Sequence, residues 1–233
     1  MDYRDRHVVV TGGTGALGTA VVAALVEARA VCHVPYLVAA EAEHFPLRDH
    51  PKVKLVAGID LTDEAAVARL YGGVPALWAS IHLAGGFAMA AVAKTTKAEL
   101  MKQIDLNLVT AFLSCTAAVN AIARTGAGGR IVNVAARPAL EWRSGAGMAA
   151  YTASKAGVAA LTVALAEEVA KSGILVNAVA PSIMDTPANR AAMPQADYAA
   201  WPKVEEVAAT ILFLASPDNK VTRGGVVPVY GRS

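Results

Sequence analysis

Thr11-Gly-Gly-Thr-Gly-Ala-Leu-Gly18 follows directly on the β-rich run His7–Thr11 and opens into a helix, and this junction restricts what the chain can fold into. Gly12, Gly15 and Gly18 stand three apart. The first lets a strand turn sharply, the second removes a side chain where backbone must approach a ligand, and the third lets a helix pack close to the strand. The helix N-terminus then offers unpaired N–H groups and a partial positive charge to an anion. A glycine-rich turn alone is a weak signal, but strand–turn–helix is the context a dinucleotide pyrophosphate requires.

The rest of the chain repeats that alternation. After the helix Ala16–Arg29, apolar runs predict strands at Ala30–Val34, Val53–Ala57, Ala76–Leu83, Arg130–Ala135, Ile174–Ala180 and Gly225–Val229. Helical spacing predicts helices at Thr62–Tyr71, Lys97–Arg124, Ala149–Lys171 and Val204–Ala215, with Thr62 as a candidate N-cap. Strands that alternate with helices of this length build parallel sheets, and their near-continuous apolar character fits strands covered on both faces. The expected fold is α/β: a Rossmann-type, doubly wound, seven-stranded, mostly parallel sheet with helices on both faces. A chain of 233 residues suits one such domain over residues 1–233. The irregular stretch 182–202 holds three prolines and follows a strand's carboxyl end, where open α/β sheets bind their ligands.

Composition removes several classes of function. Net charge is +2 with both signs interspersed, which leaves no electrostatic footprint for nucleic acid. No apolar run reaches the roughly 18 residues of a membrane span. Met1–Arg6 is charged and carries no signal-peptide core, so a reduced, cytoplasmic setting is expected. Cys32 and Cys115 lack metal-ligand spacing, and no metal site is expected. The two long Ala-rich helices each suggest an apolar outer face, and with it a homodimer or homotetramer.

Tyr151 and Lys155 lie four apart near a helix start, hence on one face. An ammonium beside a phenol favours phenolate and is expected to lower the tyrosine pKa from about 10 toward neutrality, giving a proton donor useful at cellular pH. Asp60, after the third strand, has two readings: acceptor for an adenine amino group, or helix-entry residue. The second strand ends Val34-Pro35-Tyr36, without the acid that bonds a ribose hydroxyl or the Arg that holds a 2′-phosphate. NAD and NADP both remain open.

The glycine-rich turn, Leu83-Ala-Gly-Gly86, Asn107, Tyr151 with Lys155, and Pro181-Ser-Ile-Met-Asp-Thr186 occur in an order that resembles the short-chain dehydrogenases/reductases over nearly the whole chain. The resemblance implies an NAD(P)-dependent oxidoreductase acting on a small molecule. Its catalytic residues would be Tyr151, Lys155 and Asn107. Gly12, Thr14, Gly15, Ala16, Leu17, Asp60, Leu61, Ala84, Gly85, Gly86, Lys155, Pro181 and Thr186 would hold the cofactor. Asn107 would order a water that relays protons to Lys155; without the resemblance it is only a polar residue in a helix.

One departure stands out. Members of this family usually place a serine just after the fifth strand to polarise the substrate carbonyl, and Ala136 holds that place in Asn133-Val-Ala-Ala-Arg-Pro138. Ser144 would have to substitute, or nothing does. A narrower resemblance covers the loop Asp185–Trp201, the glycine-rich turn, Ala84–Gly86 and Gly147-Met148. It is similar to dihydropteridine reductases, which also lack the serine and reduce quinonoid dihydropterins. Trp201 and Met193 are then either a lid over a flat substrate or anchors of the loop. The missing serine also leaves open a non-catalytic, dinucleotide-binding sensor or scaffold.

Overall fold

The computed structural model describes residues 1–233 and carries one seven-stranded sheet in the order β3-β2-β1-β4-β5-β6-β7, every pair parallel. The strands are β1 (His7–Thr11), β2 (Val31–Tyr36), β3 (Val53–Ala57), β4 (Leu77–His82), β5 (Gly129–Val134), β6 (Ile174–Pro181) and β7 (Val226–Val229). The expected doubly wound sheet is present, and it is wholly rather than mostly parallel. The winding direction reverses between β1 and β4, which opens a crevice at their carboxyl ends.

The helices are α1 (Ala16–Glu27), α2 (Ala39–Glu43), α3 (Glu64–Gly72), α4 (Lys97–Ile104), α5 (Thr110–Ala123), α6 (Arg137–Leu140), α7 (Ala149–Glu168), α8 (Pro187–Ala192) and α9 (Val204–Ala215). Alternation along the strands feeds two cores. Val8 and Val10 face α1 and α9, packing with Val21, Leu25 and Ile211. Val9, between them, faces the other layer with Ile122, Ile131 and Val176. Cys32 and Cys115 are free and buried. The segments Lys97–Ala123 and Ala149–Glu168 are long and apolar enough to pass a membrane-span test on composition, yet α5 packs on β4 and α7 on β6.

Three local readings change. The long helix predicted over Lys97–Arg124 is interrupted by a π-helical turn at Asp105–Val109, so α4 and α5 are separate. Asp63, not Thr62, caps α3, accepting from the Ala65 and Ala66 N–H groups; Thr62 is engaged by Asp60. Short α2, α6 and α8 occupy stretches that the hydrophobic pattern leaves irregular.

A polar chain runs through the apolar layer beneath the crevice. His82 Nδ1 donates to Asn133 Oδ1 (2.8 Å), and Asn133 Nδ2 donates to Thr162 Oγ1 (2.9 Å). On its other side His82 Nε2 accepts within the Ser80–Tyr71 hydroxyl pair, 2.8 Å from Ser80 Oγ. Both ring nitrogens are thus used by a neutral imidazole, and burial brings His82 down to about 4. His33, buried against His7 (2.9 Å), is likewise brought down to about 4.

These histidines make stability depend on pH. The unfolded chain binds protons on both at about pH 6.5, where the folded chain does not. Their contribution is therefore complete above about pH 6.5 and lost as pH falls toward about 4. Guanidinium unfolding at pH 5 should show a loss of about 2–4 kcal/mol relative to pH 7. Replacement of His33 by Gln should reduce that loss. An equal stability at both pH values would contradict the assignment.

Candidate active site

The crevice is assembled by close backbone contact. Gly12 has φ +66°, and a Cβ added there would lie 2.6 Å from the Ala84 nitrogen. One added to Gly18 would collide with the backbone of Gly12 and Gly13. The glycine-rich turn is therefore wedged between the α1 start and the segment that leaves β4. Gly15 differs: an added Cβ would touch only the Gly12 oxygen, at 3.4 Å, so this corner is open outward. The start of α1 has no side-chain cap and no acid in its first turn. Gly15 and Ala16 are exposed, Thr14 is half-buried, and Leu17 turns its side chain into the core. This turn fits a pyrophosphate, bound by backbone N–H groups rather than side chains.

Asn107 sits inside the π-helical turn and is buried. Its Oδ1 accepts from Gly86 N (3.1 Å), and its Nδ2 lies within hydrogen-bond reach of Gly86 O (3.0 Å), Gln103 O (3.1 Å) and Ser154 Oγ (3.1 Å). Ser154 in turn donates to Tyr151 O (2.8 Å). One amide thus ties the Ala84–Gly86 segment to the first turns of α7. Gly85 is where they meet: an added Cβ would stand 2.5 Å from Asn107 Oδ1 and 3.4 Å from Lys155 Nζ.

Lys155 is buried and donates to Val134 O at 2.8 Å. Burial lowers it to about 8. Tyr151 is packed edge-on against Phe87, with ring centroids 5.0 Å apart and planes at 82°. Burial raises its phenol to about 12, the reverse of the expected shift. The cause is geometric: desolvation of the phenol dominates, while the Lys155 ammonium is directed at the Val134 carbonyl.

The remaining positions divide. Thr186 caps α8 by accepting from Asn189 N (3.2 Å), and buried Pro181 ends β6. Asp60 Oδ1 accepts from Thr62 N (2.8 Å) and its hydroxyl (2.6 Å), a helix-entry arrangement that holds its carboxyl below the usual range. Leu61 is half-buried and packs on the apolar core beside it. Ala136 is buried and stands at the N-cap of α6, just after β5. Ser144 is exposed and spends its hydroxyl on Glu141 O (2.7 Å), within its own turn. Trp201 is buried, which favours anchoring of the loop, and Met193 is half-buried. Phe87, 62% exposed beside Tyr151, is a site residue that the sequence pattern does not single out.

Comparison with known proteins gives the family and the fold. A family profile described as short chain dehydrogenase matches residues 6–197. A (2S)-[(R)-hydroxy(phenyl)methyl]succinyl-CoA dehydrogenase subunit of Thauera aromatica is 31% identical, over 99% of this chain and 97% of its own. Cis-4-hydroxycyclohexanecarboxylate dehydrogenase of Sinomonas cyclohexanicum is 34% identical, over 98% and 96%. The crystal structure of gox2181 superposes with a TM-score of 0.88 at 29% identity, covering 99% of this chain and 96% of that one.

Replacing Asn107 by Leu keeps the size and removes the amide. It leaves Gly86 N–H and C=O without their partner, and denaturant unfolding should show a loss of about 2–4 kcal/mol. An unchanged midpoint would mean that the amide does not tie these elements together.

Proposed function

The chain belongs to the short-chain dehydrogenase family and is an NAD(P)-dependent oxidoreductase, and from that premise we propose that it reduces a conjugated, easily reduced small-molecule acceptor, with Tyr151 as proton donor. The observation that carries the finer part is Ala136. A methyl group occupies the place of the family's second hydroxyl, and Ser144 is committed elsewhere. The acceptor must therefore take a hydride with one donor rather than two. A quinonoid ring does so, because its reduction restores an aromatic ring. A dihydropterin of that kind is the specific candidate, supported by the likeness of the 185–201 loop and by the exposed Phe87 ring at the edge of Tyr151.

In this reading the backbone of Gly12, Thr14, Gly15, Ala16 and Leu17 holds the pyrophosphate. Ala84–Gly86 runs past the adenosine ribose, Asp60 and Leu61 flank the adenine, and Pro181 and Thr186 border the nicotinamide. When bound, the reduced dinucleotide supplies the hydride. Tyr151 gives its phenolic proton to the acceptor atom that gains charge, and Lys155, on the same face of α7, stabilises the phenolate left behind. Asn107 fixes the distance between these groups by holding Gly86 and Ser154 together. The exposed Phe112 and Val163, on α5 and α7, support self-association through these helices.

Replacing Tyr151 by Phe should lower kcat by about 10²–10⁴ while leaving dinucleotide affinity nearly unchanged. Full activity in that variant would overturn the proton-donor role. Replacing Ala136 by Ser tests the acceptor. It should raise kcat/KM for unconjugated ketones much more than for quinonoid dihydrobiopterin. Equal effects on both would remove the argument from Ala136.

A further inference from the structure

The segment that leaves β4 carries no side chain able to hydrogen-bond water. It reads Leu83-Ala-Gly-Gly-Phe-Ala-Met-Ala-Ala-Val-Ala93, without one polar or charged residue. Its second part nevertheless lies at the surface. Every residue from Phe87 to Ala93 is exposed, Met89 by 65% and Val92 by 71%. An exposed apolar side chain is ordinary on its own, but a continuous uncovered strip marks a place that receives something apolar.

The strip is held at both ends. Just before it, Asn107 fixes Gly86. Just after it, Lys94 N and Thr95 Oγ1 both donate to Ala91 O, at 2.8 and 3.0 Å, and Thr96 caps α4. The strip also begins at the reaction centre, because the Phe87 ring meets Tyr151 edge-on. Further along, Met89 Cε lies 3.3 Å from where a Cβ on Gly147 would stand, so the strip reaches the segment that enters α7. Gly147, at φ +80°, leaves that side of the mouth without a side chain.

We infer that the acceptor is a quinone with a hydrocarbon tail of several carbons, its ring standing at Tyr151 and its tail lying along Phe87, Met89 and Val92. The inference rests on the conjugated-acceptor reading above and narrows it by the substituent. An apolar tail covers the strip, whereas a polar side chain would leave it facing water. Continuity with Tyr151 favours the substrate as occupant, since a second copy of the chain seated on Phe87 would crowd the mouth of the site. The quinone gains a hydride from the reduced dinucleotide and a proton from Tyr151, and leaves as the hydroquinone. The dinucleotide leaves oxidised, and the phenolate regains its proton from water.

Calorimetric titration of tetrasubstituted para-benzoquinones whose variable group is methyl, butyl or hexyl tests this. With oxidised dinucleotide present no hydride is available, so binding is read without turnover. Affinity should rise about tenfold from methyl to butyl and further to hexyl. Joint replacement Met89→Gln and Val92→Gln should cut the methyl-to-butyl gain to about threefold or less. Both positions are exposed, so the core is untouched. Equal affinity for all three tails, a gain unchanged in the double variant, or no binding of any of the quinones would overturn the inference. A mass by light scattering that halves in the double variant, with no dependence on tail length, would give the strip to a second copy instead. Oxidation of the reduced dinucleotide by the same quinones tests the underlying reading separately. Tail-dependent binding without oxidation would keep the apolar subsite and contradict the acceptor reading, and oxidation without tail dependence would do the reverse.

Discussion

A single buried amide organises the crevice. Asn107 reaches both the N–H and the C=O of Gly86 and meets Ser154 on α7. It is placed to do so because the backbone widens into a π-helical turn at Asp105–Val109, which turns the side chain inward between two elements. Without that amide, the segment leaving β4 and the helix carrying Tyr151 and Lys155 would be joined only by packing. Gly85 shows how little room is left: even one methyl group there would collide with Asn107.

The layer beneath reinforces this arrangement. Tyr71, Ser80, His82, Asn133 and Thr162 form a hydrogen-bonded chain inside an otherwise apolar core. It joins β4 to β5 and β5 to α7, so the strands whose ends bear Ala84 and Ala136 are held in a fixed relation to the helix that carries Tyr151 and Lys155. Buried polar networks are costly unless every member is satisfied, and here His82 uses both ring nitrogens. Above the network, the two groups proposed to handle protons are desolvated. Lys155 at about 8 and Tyr151 at about 12 show a site in which burial outweighs direct charge–charge attraction.

The order of strands and helices was legible in the sequence because apolar runs and glycine punctuation are local signals. The Gly12–Gly18 turn and the Tyr151–Lys155 spacing were legible for the same reason. What escaped depends on contacts distant in sequence. The π-helical turn hides in an uninterrupted helical pattern, since nothing in Asp105-Leu-Asn-Leu-Val109 differs from ordinary helix. His82 and Asn133 read as isolated polar residues in strands until the sheet brings them within 2.8 Å. The expected lowering of the Tyr151 pKa failed because spacing reveals a neighbour but not the direction in which its ammonium points.

Everything proposed for this crevice depends on its passing a hydride to an acceptor beside Tyr151. Incubation with dinucleotide deuterated at the transferable nicotinamide position, together with quinonoid dihydrobiopterin or a conjugated carbonyl, tests it directly by mass spectrometry. Product should form at the rate at which the dinucleotide is oxidised, with deuterium on the reacting carbon of a carbonyl substrate. Tight binding of the dinucleotide with no oxidation and no deuterium in any acceptor would contradict it.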